Sequence, residues 1–139
     1  MSQSSNKLDV TGVILTHAKT AKLQAAIDSL EWTRQIIVID TSQTGECKDI
    51  ENKRILVKQH PTDWQNVHFA KIRNQALELV KTQWAFFLDS DEIATEELAR
   101  AVENFLQAPS ASAHVSTAQF KRVDFFLGKR LKYGEVGNV

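Results

Sequence analysis

The sequence predicts an α/β fold: a doubly wound, mostly parallel sheet with helices on both faces, ending in a β-hairpin. Three observations carry this. Short apolar runs rich in β-branched or aromatic residues recur along the 139-residue chain, as buried parallel strands do. Between most of them lie segments whose apolar residues recur at helical spacing, so strand and helix alternate. Two of the strongest runs lead directly into aspartates, Asp40 and Asp89, and a buried strand can carry such residues only where it emerges from the sheet.

Residues 10–16 form the first apolar run and predict the first strand. Over 19–30, Leu23, Ala26, Ile27 and Leu30 share one helical face. Residues 35–40 are the second strand and 54–58 a shorter third. The spacing of Phe69, Ile72, Ala76, Leu77 and Val80 predicts a helix over 67–81, with Arg73 near its apolar face. Five apolar residues from Trp84 to Leu88, three of them aromatic, predict a fourth strand buried on both faces. Thr95 is an N-cap residue type, Glu96 and Glu97 suit the first turn, and Leu98, Ala99, Val102, Phe105 and Leu106 form the buried stripe of a last helix. Residues 108–113 are the clearest break. Residues 115–126 then partly alternate, and 127–130 suggest a turn between two strands. Residues 1–8 are expected to be a disordered tail, with one domain over 9–139.

Composition excludes several classes of function. Seventeen basic and seventeen acidic residues cancel, so no general attraction to nucleic acid is expected. No apolar run approaches the roughly 20 residues that span a bilayer. Cys47 is the single cysteine; it forms no intrachain disulfide and suits a reducing cytosol. His17, His60, His68 and His114 have no spacing that makes a zinc site. Trp64 reads as a packing anchor, and Lys129, Arg130 and Lys132 as a solvated basic cluster. Phe125 and Phe126 read as core or as an apolar interface favouring self-association.

The chemistry gathers at Asp89, Asp91 and Glu92, three carboxylates within four positions. Carboxylates this close repel unless a cation or a hydrogen-bond network offsets the repulsion. Two readings stand side by side: Mg²⁺ or Mn²⁺ held by one or two carboxylates with a ligand's phosphates, or a solvated acidic turn leading into a helix. Topology bears on the choice. In a parallel sheet, Asp40 and the Asp89–Asp91 pair leave on the same edge, so positions about fifty apart converge on one crevice.

These pieces together resemble the nucleotide-sugar half of family 2 glycosyltransferases, which have the GT-A, Rossmann-like fold. The segments that carry the resemblance are GVILTHAK, VIDTSQTGE, WQNVHFAKIRNQAL with its Arg-Asn pair, and WAFFLDSDE with its Asp-x-Asp motif. FKRVDFFLGKRLKYGE is similar to the hairpin of members of the lipopolysaccharide-core type. The resemblance implies a nucleoside-diphosphate sugar donor, Mg²⁺ or Mn²⁺ as cofactor, inverting transfer, and a glycan or lipid acceptor in cell-envelope synthesis. It implies a cytoplasmic location, peripheral to the inner face of the membrane.

The resemblance also implies roles. Thr16 and His17 would line the nucleotide pocket, and Asp40 would accept from the base or ribose. Arg73 would face the diphosphate or brace the acidic loop, with Asn74 in support. Asp89 would contact the ribose or metal-bound water, Asp91 would be the metal ligand, and Glu92 would cap the next helix or hold Arg73. Where family members carry a second acidic residue after the second strand, this chain has Glu46. The family's acceptor half and catalytic base normally lie beyond the position of Val139, so a chain cut down to its donor half is expected, with Glu135 the late acidic candidate. A receiver-type phosphotransfer domain would need an acidic pair where Thr16-His17-Ala18-Lys19 stands, and a haloacid-dehalogenase-type phosphatase would carry its Asp-x-Asp after the first strand. The surviving alternative is a non-catalytic nucleotide-sugar-binding or interaction module.

Overall fold

The computed structural model describes residues 6–108 and 115–120, together with the backbone of strand residues 125–126 and 129–130. The chain separates into two compact units, Met1–Ala99 and Arg100–Val139. In order, the elements are β1 (Leu8–Thr16), α1 (Ala21–Ser29), β2 (Thr33–Asp40), β3 (Ile55–Gln59), α2 (Phe69–Glu78), β4 (Trp84–Asp89), α3 (Glu96–Gln107), β5 (Phe125–Phe126) and β6 (Lys129–Arg130). Short 3₁₀ turns occupy Lys48–Ile50 and Trp64–Asn66.

The first unit is built on a four-stranded, all-parallel sheet in the order β3-β2-β1-β4. Side chains alternate between its faces, and each face has its own core. Ile14, Ile36, Val38 and Leu88 gather with Leu23, Ala26, Ile27 and Leu30 of the α1 segment, and Leu98 packs against them. Val13, Ile37 and Ile39 gather with Ile72 and Ala76 of α2. Helices on both faces explain why the central strands read as continuous apolar runs. Gly12 permits one close approach: a Cβ there would lie 2.6 Å from Leu30 Cδ1, so the side chain closing α1 rests directly on the β1 backbone.

Strand order sets the functional edge. The chain steps outward from β1 to β2 to β3, then returns past β1 to place β4 on its other side. The reversal creates a switch point between β1 and β4, where open α/β sheets form a crevice outside the strands' carboxyl ends. Thr16 pairs with Asp40 and Leu15 with Asp89 in the ladder, so these ends lie level on one edge.

Several expected boundaries move for local reasons. β1 begins at Leu8, inside the expected tail, because the Leu8 N–H donates to the Trp32 carbonyl at 2.9 Å. α1 starts at Ala21 because the Thr20 side chain caps it, accepting from the Leu23 N–H at 3.2 Å. β3 starts one residue late because Asn52 Oδ1 takes the Arg54 N–H at 2.8 Å. α2 ends at Glu78, where short bonds from Leu79 to Ala76 and Val80 to Leu77 tighten the last turn. Thr95 caps α3 as expected, accepting from Leu98 N–H at 3.2 Å.

Three expectations are corrected. Among the described residues β4 is the edge strand of this sheet, not one buried on both faces: of its six residues only Leu88 is buried, and Phe87 is 41% exposed. Its apolar run extends beyond what the sheet covers. Residues 115–120 form no strand, and Val115 and Phe120 are exposed, so no buried face holds that alternation in place. The hairpin itself is present: Phe125 pairs with Arg130 and Phe126 with Lys129, which makes Lys129 and Arg130 strand residues rather than turn. All but the first residue of the expected break at 108–113, the segment 127–128, Lys132 and Glu135 lie outside the described residues.

Candidate functional site

Three loops leave the carboxyl edge and are stitched together by their own polar groups. Thr16, at the end of β1, donates its hydroxyl to the Ala18 carbonyl at 2.8 Å. Its carbonyl accepts both the Thr41 N–H at 2.8 Å and the Thr41 hydroxyl at 3.0 Å, which fastens the β1 turn to the β2 loop. Asp40 is 0% exposed. One of its oxygens accepts the Ser42 N–H at 2.9 Å and the other the Cys47 N–H at 3.1 Å, so the loop of 41–47 winds around the carboxylate. Burial alone would push this carboxyl up, but the hydrogen bonds from Ser42 and Cys47 outweigh burial and hold it below the usual carboxylate range. The same packing pushes the buried Cys47 thiol up to about 11, through burial first and the adjacent Asp40 charge second; such a thiol is a poor nucleophile.

The rest of the loop depends on one backbone conformation. Gly45 has φ of +67°, the left-handed region that costs other residues strain. That turn brings the Gly45 and Glu46 N–H groups to Ser42 Oγ, at 3.1 and 3.4 Å. Glu46 then accepts the Lys19 N–H at 3.1 Å, and the Lys19 ammonium pairs with Asp49. The β3 exit joins through His60 N–H to the Asp40 carbonyl, 2.8 Å, and Thr62 N–H to the Thr41 carbonyl, 3.3 Å.

The exposed chemistry sits on the β4 side of the switch point. Asp89 and Asp91 are both exposed. Their turn is closed reciprocally: the Glu92 N–H donates to the Asp89 carbonyl and the Asp89 N–H to Glu92 Oε2, each at 3.0 Å. Glu92 thereby staples the acidic turn. The Ala94 N–H donates to Ser29 Oγ at 3.0 Å, anchoring the segment to the end of α1. Arg73 approaches from α2, its guanidinium carbon 6.0 Å from the centre of the Phe87 ring. Arg73, Phe87, Asp89 and Leu15 line a small cavity of about 20 Å³.

The structure therefore brings Thr16, Asp40, Asp89 and Asp91 to one edge, with Arg73 beside Asp89. It divides them into two kinds. Thr16 and Asp40 are buried and engaged by neighbouring loops, whereas His17, Arg73, Asn74, Asp89 and Asp91 are exposed. Asp40, expected to accept from a base or ribose, has each oxygen on a backbone amide of its own loop. Sequence reasoning missed Ser42 as the loop's second acceptor and Phe87 as the surface under Arg73. Ser42 three positions before a glycine was a readable turn signal; nothing in an apolar run singles out Phe87.

A larger cavity, about 330 Å³, opens at the opposite, amino edge, lined by Gln35, Arg54, Leu56, Glu78 and Lys81 among others. It holds no acidic pair, and its Arg54 donates to the Thr33 and Leu30 carbonyls. Volume alone does not locate the chemistry.

Among the described residues no three His, Cys, Asp or Glu side chains gather to hold a metal by themselves. Two exposed aspartates two positions apart are nonetheless a donor set that fits Mg²⁺ or Mn²⁺, which are bound through one or two carboxylates with the remaining positions left to water and phosphate. No helix among the described residues is long and apolar enough to cross a membrane.

An all-parallel sheet with helices on both faces and an acidic turn at its switch point is a GT-A, Rossmann-like α/β fold. The family model described as Glycosyl transferase family 2 matches residues 12–137, and the chain belongs to that family. Membership brings a role in glycosyl transfer, with a sugar donor and an acceptor. No solved structure matches the chain.

Proposed function

We propose that the carboxyl-edge crevice binds a nucleoside-diphosphate sugar together with Mg²⁺ or Mn²⁺, for transfer of the sugar, with inversion, to a glycan or lipid acceptor. The observation that carries this reading is the juxtaposition of Arg73 and Asp89 on one cavity at the switch point, with Asp91 two residues further on. An arginine and a pair of aspartates suit a diphosphate bridged to a cation: the guanidinium donates to phosphate oxygens while the carboxylates face the metal.

Asp91, with Asp89, would hold the cation, which when bound supplies neutralisation of charge on the departing diphosphate. Asp89 would also accept from a ribose hydroxyl. Thr16 and Asp40 act through shape: they fix the loops after β1 and β2, whose exposed backbone and His17 form the wall on which the nucleoside lies. Glu92 keeps the acidic turn closed, so that Asp89 and Asp91 meet the ligand without first ordering a loop. A cytoplasmic, membrane-peripheral enzyme of cell-envelope synthesis fits this reading. The likeness to lipopolysaccharide-core members rests on 120–135, most of which lies outside the described residues.

Calorimetric titration with UDP, GDP, CDP and dTDP, with and without Mn²⁺, tests the proposal. Metal-dependent binding of one nucleotide, weakened in Asp91→Asn, is the expected result. Absence of binding to all four, or binding indifferent to both Mn²⁺ and Asp91, would overturn it.

A further inference from the structure

We infer that Phe87 is a positioning residue for nucleotide binding: its exposed ring holds the Arg73 guanidinium flat beside Asp89, with the edges of the guanidinium free to receive a diphosphate. The inference rests on the donor-site reading above. Its starting observation is the placement of Phe87. A phenylalanine 41% exposed on an edge strand leaves much of its ring open at the surface, where burial does not hold it. It lies on the same cavity as Arg73, with the guanidinium carbon 6.0 Å from the ring centre, at the outer limit of an attractive cation–π distance.

The chemistry of arginine makes this surface useful. A guanidinium that stacks on a ring uses its π face, and its five N–H groups then lie in the plane and remain available to oxygen acceptors. A salt bridge would consume some of those donors; an aromatic surface leaves them free. An exposed arginine loses substantial side-chain freedom when it binds a ligand, and an aromatic rest removes part of that loss beforehand. The helix reinforces the arrangement. Phe69 and Leu77, one turn to either side of Arg73, are each 45% exposed and share its face of α2, so Arg73 stands in a locally apolar strip.

The test is a mutant cycle read by titration of the full chain with nucleoside diphosphate in the presence of Mn²⁺, and with the matching nucleoside lacking phosphates. Phe87→Leu should weaken diphosphate binding about 2- to 5-fold. Phe87→Trp should retain it, because the larger ring preserves the surface. Arg73→Gln should weaken it more, and Phe87→Leu added to Arg73→Gln should cost nothing further. Nucleoside binding should be the same in all variants. Nuclear magnetic resonance supplies a ligand-free readout: ring currents should shift the Arg73 side-chain signals in the native chain and in Phe87→Trp but not in Phe87→Leu. Equal losses from Phe87→Leu with and without Arg73, loss extending to the nucleoside, or no ring-current shift would each overturn the inference and leave the donor site standing. A native chain that binds no nucleotide would overturn both.

Discussion

The two ends of the parallel sheet use charge in opposite ways. At the amino edge, charged groups are spent on the fold itself. Arg54, partly buried, donates to the Thr33 carbonyl at 3.1 and 3.2 Å and to the Leu30 carbonyl at 2.5 Å, satisfying groups at the end of α1. Asp9 accepts from Arg34 at 2.6 Å and from the Gln83 N–H at 3.3 Å, while Lys7 bonds the Glu31 carbonyl. At the carboxyl edge the charges form two layers. Asp40 and Glu46 are engaged in holding loops, Lys19 makes an exposed pair with Asp49, and beyond them Asp89, Asp91 and Arg73 stand exposed around the crevice. Charges thus play different parts: at the amino edge they are engaged internally, whereas the carboxyl edge adds to its engaged charges an exposed layer beside the switch point, where the proposed ligand would bind. The larger amino-edge cavity does not alter this, because its best-placed cation is already committed to backbone carbonyls.

The contrast can be broken by substitutions that cross it. The largest effect is expected for Asp91→Asn, which should cost about 2–3 kcal/mol of metal-dependent nucleotide affinity, roughly 30- to 150-fold, with thermal stability unchanged. A lowered melting temperature would move Asp91 into the structural layer. Arg54→Met should do the reverse, lowering stability by about 2 kcal/mol in urea unfolding through loss of the charge-assisted bonds to the Thr33 and Leu30 carbonyls, although Leu30 keeps the Thr33 N–H and hydroxyl, with nucleotide affinity intact.

Asp40→Asn should affect both properties, because the amide NH₂ would face a backbone N–H of the loop; a loss near 1.5 kcal/mol is expected, with weaker binding. Asp40 also gives the comparison a pH axis. Its carboxyl titrates lower in the folded chain than when unfolded, so its contribution is fully present above the ordinary carboxylate value. That contribution is lost as pH falls through the lowered folded value, so stability should decline below about pH 4 and Asp40→Asn should remove that part of the decline. Urea midpoints measured from pH 7 to pH 2.5 would show it.

Gly45→Ala should cost about 1 kcal/mol from its left-handed backbone, with Gln59 displaced, since a Cβ would meet its Nε2 at 2.1 Å. Lys19→Met, which removes an exposed ion pair, should leave the melting temperature unchanged; a clear drop would mean that the bridge secures the β2 loop.

Much of this was legible because hydrophobic periodicity records local geometry. The strand runs, the helical stripes and the Thr95 cap needed only neighbours within a turn or two. The convergence of Asp40 with Asp89 and Asp91 was legible too, since parallel strands put their ends on one edge. What remained hidden depended on distant partners. An apolar run reads alike at a sheet's centre and at its edge, so the exposure of Phe87 was invisible. An aspartate ending a strand reads as a ligand; that Asp40 is enclosed depends on the loop's left-handed turn at Gly45. The approach of Arg73 to Phe87 joins a helix to the strand that follows it and has no local signature.

The β1 ladder has a consequence for the order of assembly. Thr16 meets Asp40 after 24 positions, whereas Leu15 must wait for Asp89, 74 positions on. Closing the longer loop costs more chain entropy before any pairing rewards it. On a ribosome the Thr16–Asp40 half of the crevice can form while the acidic turn is still unsynthesised. The proposed nucleoside wall would thus be the older half of the site in each molecule's life, with the carboxylates that complete it arriving last. Pulse-labelled hydrogen exchange during refolding should find the β1–β2 amides protected before those joining β1 to β4.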